Sequence, residues 1–343
     1  MQLDRTEIEI RQRSGLELLD LSVVVLRNHF WSIFLTSLVV CLPLLILDLI
    51  VIRWMLTERA LFAVEYLDVP ETALQNRHAA HLIALFCVQF PLMSLPTTIM
   101  LGNLVFYQPL SIKELLARLR PIAWRCILVM GIMRLGLVSL VLELFVQMDV
   151  VFDWTTEVLI LFIFPAWAIL VRSFAPFAPE ILGLELCPLK SKDSTVVTYR
   201  GRSRRLHNTL AGEHMGRMLG VIFCSSMLLA MLVALQIAYS GGANGVWKWT
   251  AQTNYIGLPL ALWCVGMFLS VVRFLSYLDS RIRLEGWEIE LRMRAEADRL
   301  SGRPRIETGS QDEEMPQEES SSSTSSLADT STIGGGSQEQ VAS

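Results

Sequence analysis

Phe34-Leu-Thr-Ser-Leu-Val-Val-Cys-Leu-Pro-Leu-Leu-Ile-Leu47 is apolar nearly all the way round, without the polar stripe that a soluble helix turns to water. Leu159-Ile-Leu-Phe-Ile-Phe-Pro-Ala-Trp-Ala-Ile-Leu-Val171 reads the same way. Each lies in a longer block, and the chain has six of them: Trp31 to Ile52, His81 to Phe106, Ile122 to Gln147, Trp154 to Phe174, Met215 to Ala238 and Tyr255 to Leu278. A helix of about 20 residues at ~1.5 Å per residue crosses the ~30 Å hydrocarbon core of a bilayer. The expected fold is therefore all-α, a polytopic membrane protein with six transmembrane helices over residues 31–278. Composition agrees: 52% of residues are hydrophobic and 18% charged, below the roughly 25% charged of soluble domains.

Lys and Arg alternate between the loops. Outside the blocks or close to their ends, 22 fall on the side of the N-terminus, loop 175–214 and the C-terminal segment, and 4 on the other. That bias places both termini in the cytoplasm. The formal net charge of −4 is misleading about partners, because Ser301 to Ser343 carries 8 acidic and 2 basic residues. The rest of the chain is slightly basic and faces anionic headgroups. The tail, 301–343, is rich in Ser, Gln, Glu and Gly and is expected to be disordered, since it has too little apolar surface to offset chain entropy. No cleavable leader is read at the N-terminus.

Two amphipathic segments are expected to lie in the plane of the inner membrane surface. One is Leu16 to Asn28, within a cytoplasmic segment 1–30; the other is Pro109 to Arg120. A third amphipathic helix is expected over 279–300. Trp31, Trp54, Trp154, Trp247 and Trp249 sit at block ends, as an aromatic belt would.

Polar residues inside the blocks are the candidate functional positions. Arg134 falls about twelve residues into the third block, where a guanidinium is expensive and normally finds a partner. Asp48, Gln89 and Glu143 are the candidate partners. The pairing reads either as a site for an anion or a proton, or as a structural ion pair. Gly212, Gly216 and Gly220 recur every fourth residue and share one helix face, a pattern that admits a close neighbouring helix. Pro91 and Pro96, with Ser94, Thr97 and Thr98, predict a break or kink in the second block. His78 and His81 read as interfacial. Five of six Cys lie in the blocks as small apolar residues, and no metal or cofactor site is read. No phosphate loop, His-Glu-x-x-His or Gly-x-Ser-x-Gly is present, so a non-enzymatic protein is expected.

Beyond the sixth block the chain reads Tyr277-Leu-Asp-Ser-Arg-Ile-Arg-Leu-Glu-Gly-Trp-Glu-Ile-Glu-Leu291. Together with Phe177-Ala-Pro-Glu-Ile-Leu-Gly-Leu-Glu185 and Arg202-Ser-Arg-Arg-Leu206, this resembles bacterial multi-pass proteins related to the membrane domain of glycerophosphoryl diester phosphodiesterase. The catalytic barrel of such an enzyme has no counterpart in this sequence. The resemblance thus implies an orphan membrane domain in a bacterial cytoplasmic membrane. On physical grounds the same motifs predict a cytoplasmic clasp. Asp279, Arg281, Arg283 and Glu285 would meet Glu185 and the basic run Arg202, Arg204 and Arg205. Two functions follow as expectations. One is a membrane scaffold that engages membrane or cytoplasmic protein partners, not nucleic acid. The alternative is a small-solute or lipid transporter using Arg134 and the Pro-broken second span.

Overall fold

The computed structural model describes residues 13–56, 71–105, 110–146, 154–191, 196–208 and 211–285, and these are helical with no strand among them. Helix α1, Gly15–Asn28, begins at Ser14, whose hydroxyl accepts from the Glu17 amide at 3.3 Å and so satisfies one of the orphan donors of the first turn. Helix α2 is Phe30–Ile52, closed by a 3₁₀ turn at Arg53–Leu56. Helices α3, Glu71–Met93, and α4, Leu95–Leu104, form a pair bent by 41°.

Helix α5, Ile112–Cys126, starts in a reciprocal capping box between Ser111 and Glu114 and runs on as a π-helical turn to Ile132. Helix α6 is Gly136–Val146. Next, α7, Trp154–Val158, and α8, Phe164–Phe174, are joined through a π turn into one 21-residue helix. The loop 175–214 holds α9, Ala178–Gly183, and α10, Tyr199–Asn208. The long α11, Ala211–Asn244, and α12, Leu258–Glu285, complete the series.

Four helices are long and apolar enough to cross a membrane, and six if each bent pair counts as one span. This is a membrane-embedded helical protein. Its centre is α12, of whose most apolar window 67% is buried, while none of the corresponding window of α11 is. The core joins α12 to α2 and α3 through Ile33, Leu45, Leu82, Phe86, Leu262 and Val271. A buried bond from Trp263 Nε1 to Ser37 Oγ at 2.8 Å pins α12 to α2.

The second block breaks where its sequence suggests. Pro91 removes a backbone donor, so the Cys87 carbonyl one turn earlier is free to accept from Arg172; Pro96 sits in the first turn of α4, and the Ser94 and Thr98 hydroxyls donate to the Pro91 and Ser94 carbonyls at the joint. A sharper break of 61° separates α5 from α6. Leu135 there adopts φ 64°, a left-handed conformation that costs an L-residue about 1–2 kcal/mol. The following Gly136 is required, since a Cβ at that position would lie 2.7 Å from the Met130 carbonyl oxygen. Gly136→Ala should therefore lower the midpoint of thermal unfolding by an overpacking penalty of about 1–3 kcal/mol. Leu135→Gly should be neutral or mildly stabilising.

Several expectations change. Helix α1 buries Leu18, Ser22 and Val25 and leaves Leu16 and Val23 exposed, because α1 packs along α12. Trp31, Trp154 and Trp247 are exposed as belt residues should be, but Trp54 is buried under the Arg77 guanidinium, 5.2 Å from its ring centroid. The face bearing Gly212, Gly216 and Gly220 is open: no neighbouring atom comes within 4 Å of where their Cβ atoms would stand. Residues 286–300 of the predicted C-terminal helix, residue 109 of the second in-plane segment and the tail 301–343 lie outside the described residues.

Candidate functional site

The bend before α6 decides where Arg134 goes. On a straight helix it would reach the middle of the bundle; at a 61° break it turns to the end with loop 175–214. Its Nη2 donates to the Ala175 carbonyl at 2.5 Å and to the Tyr199 hydroxyl at 3.4 Å. The expected pairing with Asp48, Gln89 or Glu143 is thus replaced by neutral oxygens. Asp48 Oδ1 instead accepts from Gln89 Nε2 at 2.7 Å, a pair of its own between α2 and α3.

Arg134 is only 4% exposed, and its Nη1 has no hydrogen-bond partner. Arg172, at the end of α8, is in a similar position: Nη2 donates to the Cys87 carbonyl and Nε is buried without a partner. Arg273 on α12 is compensated, with Nε on Glu180 Oε1 at 2.7 Å and Nη2 on Thr98 Oγ1 at 3.1 Å. Both Arg172 and Arg273 lie over the Phe90 ring, at 5.7 and 5.3 Å from its centroid. Arg172 is within Coulombic reach of Arg134 and Arg273. Two guanidiniums in this group therefore have no carboxylate of their own among the described residues.

All three line one cavity of about 290 Å³ between α3, α8, α11 and α12. Away from the arginines its wall is apolar, with Phe86, Ile169, Val221 and Leu269 among the lining residues. Its polar end carries excess positive charge and its body is greasy. Helix α11 closes the cavity and is the helix with no buried residue in its membrane window, so the cavity is separated from lipid by a single helix. Pro91, from the broken second span, lines the same space.

The clasp forms, with different partners from those expected. Glu185 is held bidentately by Arg202, at 2.6 and 2.7 Å, and accepts from the Tyr277 hydroxyl at 2.6 Å, with Arg281 Nε at 3.8 Å. Asp279 is 2% exposed and pairs with Arg217 at 2.7 Å and Arg283 at 3.0 Å, and it accepts from the Arg13 amide at 3.0 Å. Arg204 and Arg205 remain exposed, so the basic run contributes Arg202 alone. The geometry explains the difference: on α10, Arg202 faces the buried Leu206 side, and Arg204 and Arg205 turn away from it. Glu285 ends α12, and its side chain lies outside the described residues. Beside Glu185, burial first and the carboxylate second push the Cys187 thiol above its ordinary range, so it is a poor nucleophile.

This network joins loop 175–214 and Arg13, just before α1, to α11 and α12. A cycle combining Asp279→Ala with Arg217→Ala should show a coupling of roughly 0.5–3 kcal/mol in thermal or denaturant unfolding, whereas Asp279→Ala with Arg204→Ala should be additive. Coupling through Arg204 would contradict the observed partners.

Sequence reasoning missed Arg172 and Arg273. Both stand inside the apolar blocks, and that was the available signal, but proximity to the block ends made them look like flanking charges. It also missed that His81 and Glu157 are buried partners. Among the described residues no three His, Cys, Asp or Glu side chains converge to hold a metal ion. The fold and cavity define a polytopic helical membrane protein with a basic pocket among its spans. No family model, no curated protein and no solved structure matches the chain.

Proposed function

We propose that this protein binds an anionic phospholipid within the membrane, as a non-enzymatic lipid carrier or lipid-handling protein. The headgroup would sit against Arg134 and Arg172 and an acyl chain along the apolar wall. One observation carries the reading: two guanidiniums without carboxylate partners among the described residues, Arg134 buried and Arg172 half-buried with its Nε buried, cap an otherwise greasy cavity. Buried charge is stable only when compensated, and an anion entering from the lipid supplies the compensation together with a tail that matches the wall. Arginine also suits phosphate, which it binds with a planar fork of donors. The scaffold reading has less support, because Glu185 and Asp279 spend their charges on Arg202, Arg217 and Arg283 of the same chain.

The proposal includes six spans, each bent pair counted as one, with both termini on the cytoplasmic side of a bacterial membrane. The distribution of Lys and Arg supports it. The arginines would then face the cytoplasmic leaflet. A reporter active only outside the cytoplasm should work when fused near Glu71 or Gly242 and be silent near Asp193; activity at Asp193 would overturn this arrangement. The lipid itself is tested by native mass spectrometry of the protein released from its membrane in mild detergent. Retention of an anionic phospholipid in preference to a zwitterionic one is expected. Indifference to headgroup charge would defeat the proposal.

A further inference from the structure

A second buried polar cluster stands at the other end of the bundle, where α2 and α6 end and α3 and α7 begin. His81 on α3 is wholly buried and reaches two carboxylates at once. Its Nδ1 lies 2.5 Å from Glu143 Oε1 on α6 and its Nε2 2.8 Å from Glu157 Oε2 on α7. One turn earlier on α3, Arg77 Nε donates to Glu157 Oε1 at 2.7 Å. None of these four residues is more than 8% exposed. His78, also on α3, is fully buried beside the Tyr255 ring at 5.6 Å, with neither ring nitrogen bonded. Asp48 on α2, bonded to Gln89, is the next carboxylate along and lies within Coulombic reach of Glu143. Glu143 Oε2 and Asp48 Oδ2 are both buried without a partner.

The geometry sets the proton count. Each contact between a ring nitrogen and a carboxylate oxygen needs a proton in it, since two lone pairs at these distances repel. Two protons are therefore shared among His81, Glu143 and Glu157, either as imidazolium with two carboxylates or as imidazole with one carboxylic acid. With Arg77 included, the group is then neutral, the state that a low-dielectric interior favours. Removal of one proton leaves a net negative charge in the interior and one contact with nothing in it. That contact must open, and it is one of the two that tie α6 and α7 to α3.

We propose that His81, Glu143 and Glu157 form a proton-binding site, in which one exchangeable proton holds α6 and α7 against α3 and its release loosens one of them. The site is separate from the lipid cavity and does not depend on it. Its ligand is the proton alone, taken up from the end of the bundle at which α2 and α6 end and α3 and α7 begin. Arg77 fixes Glu157 and is a positioning residue, while His78, Tyr255 and Asp48 set the surroundings.

The test is nitrogen NMR of the full chain in lipid bilayers, labelled at histidine; with five His in the chain, single substitutions of His29, His207 and His214 reduce the assignment to two. A free imidazole titrates near 6.5. His81 is expected to move by less than about a tenth of its full shift between about pH 5.5 and 8, because both ring nitrogens are held in contacts to buried carboxylates. Glu143→Gln removes one of the two carboxylate contacts and should make a titration of His81 visible within that range. Should that variant fail to fold, the native titration decides by itself. A midpoint for His81 near or below the ordinary 6.5 in the native protein would overturn the proposal.

Discussion

Replacing Arg172 with glutamine is expected to weaken binding of an anionic phospholipid roughly ten- to a hundredfold while leaving the fold intact. A hydrogen bond to a charged group contributes about 1.5–3 kcal/mol, and each 1.4 kcal/mol is a factor of ten in affinity. Glutamine can still donate to the Cys87 carbonyl, so the local structure around α3 retains its tie. What disappears is the positive charge, and with it the reason for an anion to enter. Unliganded protein should if anything gain stability, since Arg134 and Arg273 lose a like charge nearby. The opposite signs are diagnostic: a purely structural arginine would lower stability when removed and leave lipid affinity alone. Titration with short-chain phosphatidylglycerol in detergent, followed beside thermal unfolding of the same samples, separates the two. Arg134→Gln should behave similarly, with a smaller gain in stability, because its carbonyl contact to Ala175 also holds the bend before α6.

The largest loss of stability is expected at Glu157. Its carboxylate accepts from Arg77 and from His81, and it is 5% exposed. Glu157→Gln removes a buried carboxylate from Arg77 and takes one anion from the proton-sharing group. Breaking one partner of a buried ion pair typically costs about 3–5 kcal/mol, and this variant should fall in that range in denaturant unfolding. Adding Arg77→Met should recover much of the loss, since an apolar replacement of both partners is often tolerated. Failure of the second substitution to recover stability would mean that Arg77 has another role, for which its stacking on Trp54 is the first candidate.

Much of the architecture is legible in the sequence because membrane helices are defined by local composition. Phe34 to Leu47 and Leu159 to Val171 need no tertiary information to be read as lipid-facing or bundle-facing helix, and the break at Pro91 to Pro96 follows from missing backbone donors. The bend at Leu135 was not legible. It depends on a left-handed Leu, a residue that rarely adopts that conformation, and on a glycine needed for a contact with the Met130 carbonyl. Missing that bend misplaces Arg134 along the span and gives it the wrong partners.

The clasp was legible as a juxtaposition of acidic and basic motifs, because both lie beside the same membrane face. Its partners were not. Which of Arg202, Arg204 and Arg205 faces inward depends on how α10 rotates against Leu206, and Arg217 belongs to a helix, α11, whose N-terminal end projects into the network. His81 and Glu157 each lie close to the end of a block, and only the packing of α3 against α6 and α7 brings them together. The Gly212, Gly216 and Gly220 repeat has the spacing for close helix approach, yet among the described residues no atom comes within 4 Å of where their Cβ atoms would stand.

The account stands or falls on what fills the cavity between α3, α8, α11 and α12. An electron cryomicroscopy structure of the full chain in nanodiscs containing phosphatidylglycerol tests this directly. The account predicts a phosphate within hydrogen-bond reach of Arg134 Nη1 and Arg172 Nε and an acyl chain along Phe86, Val221 and Leu269. A cavity closed by side chains, or one holding a lipid whose headgroup points away from the two arginines, would contradict it.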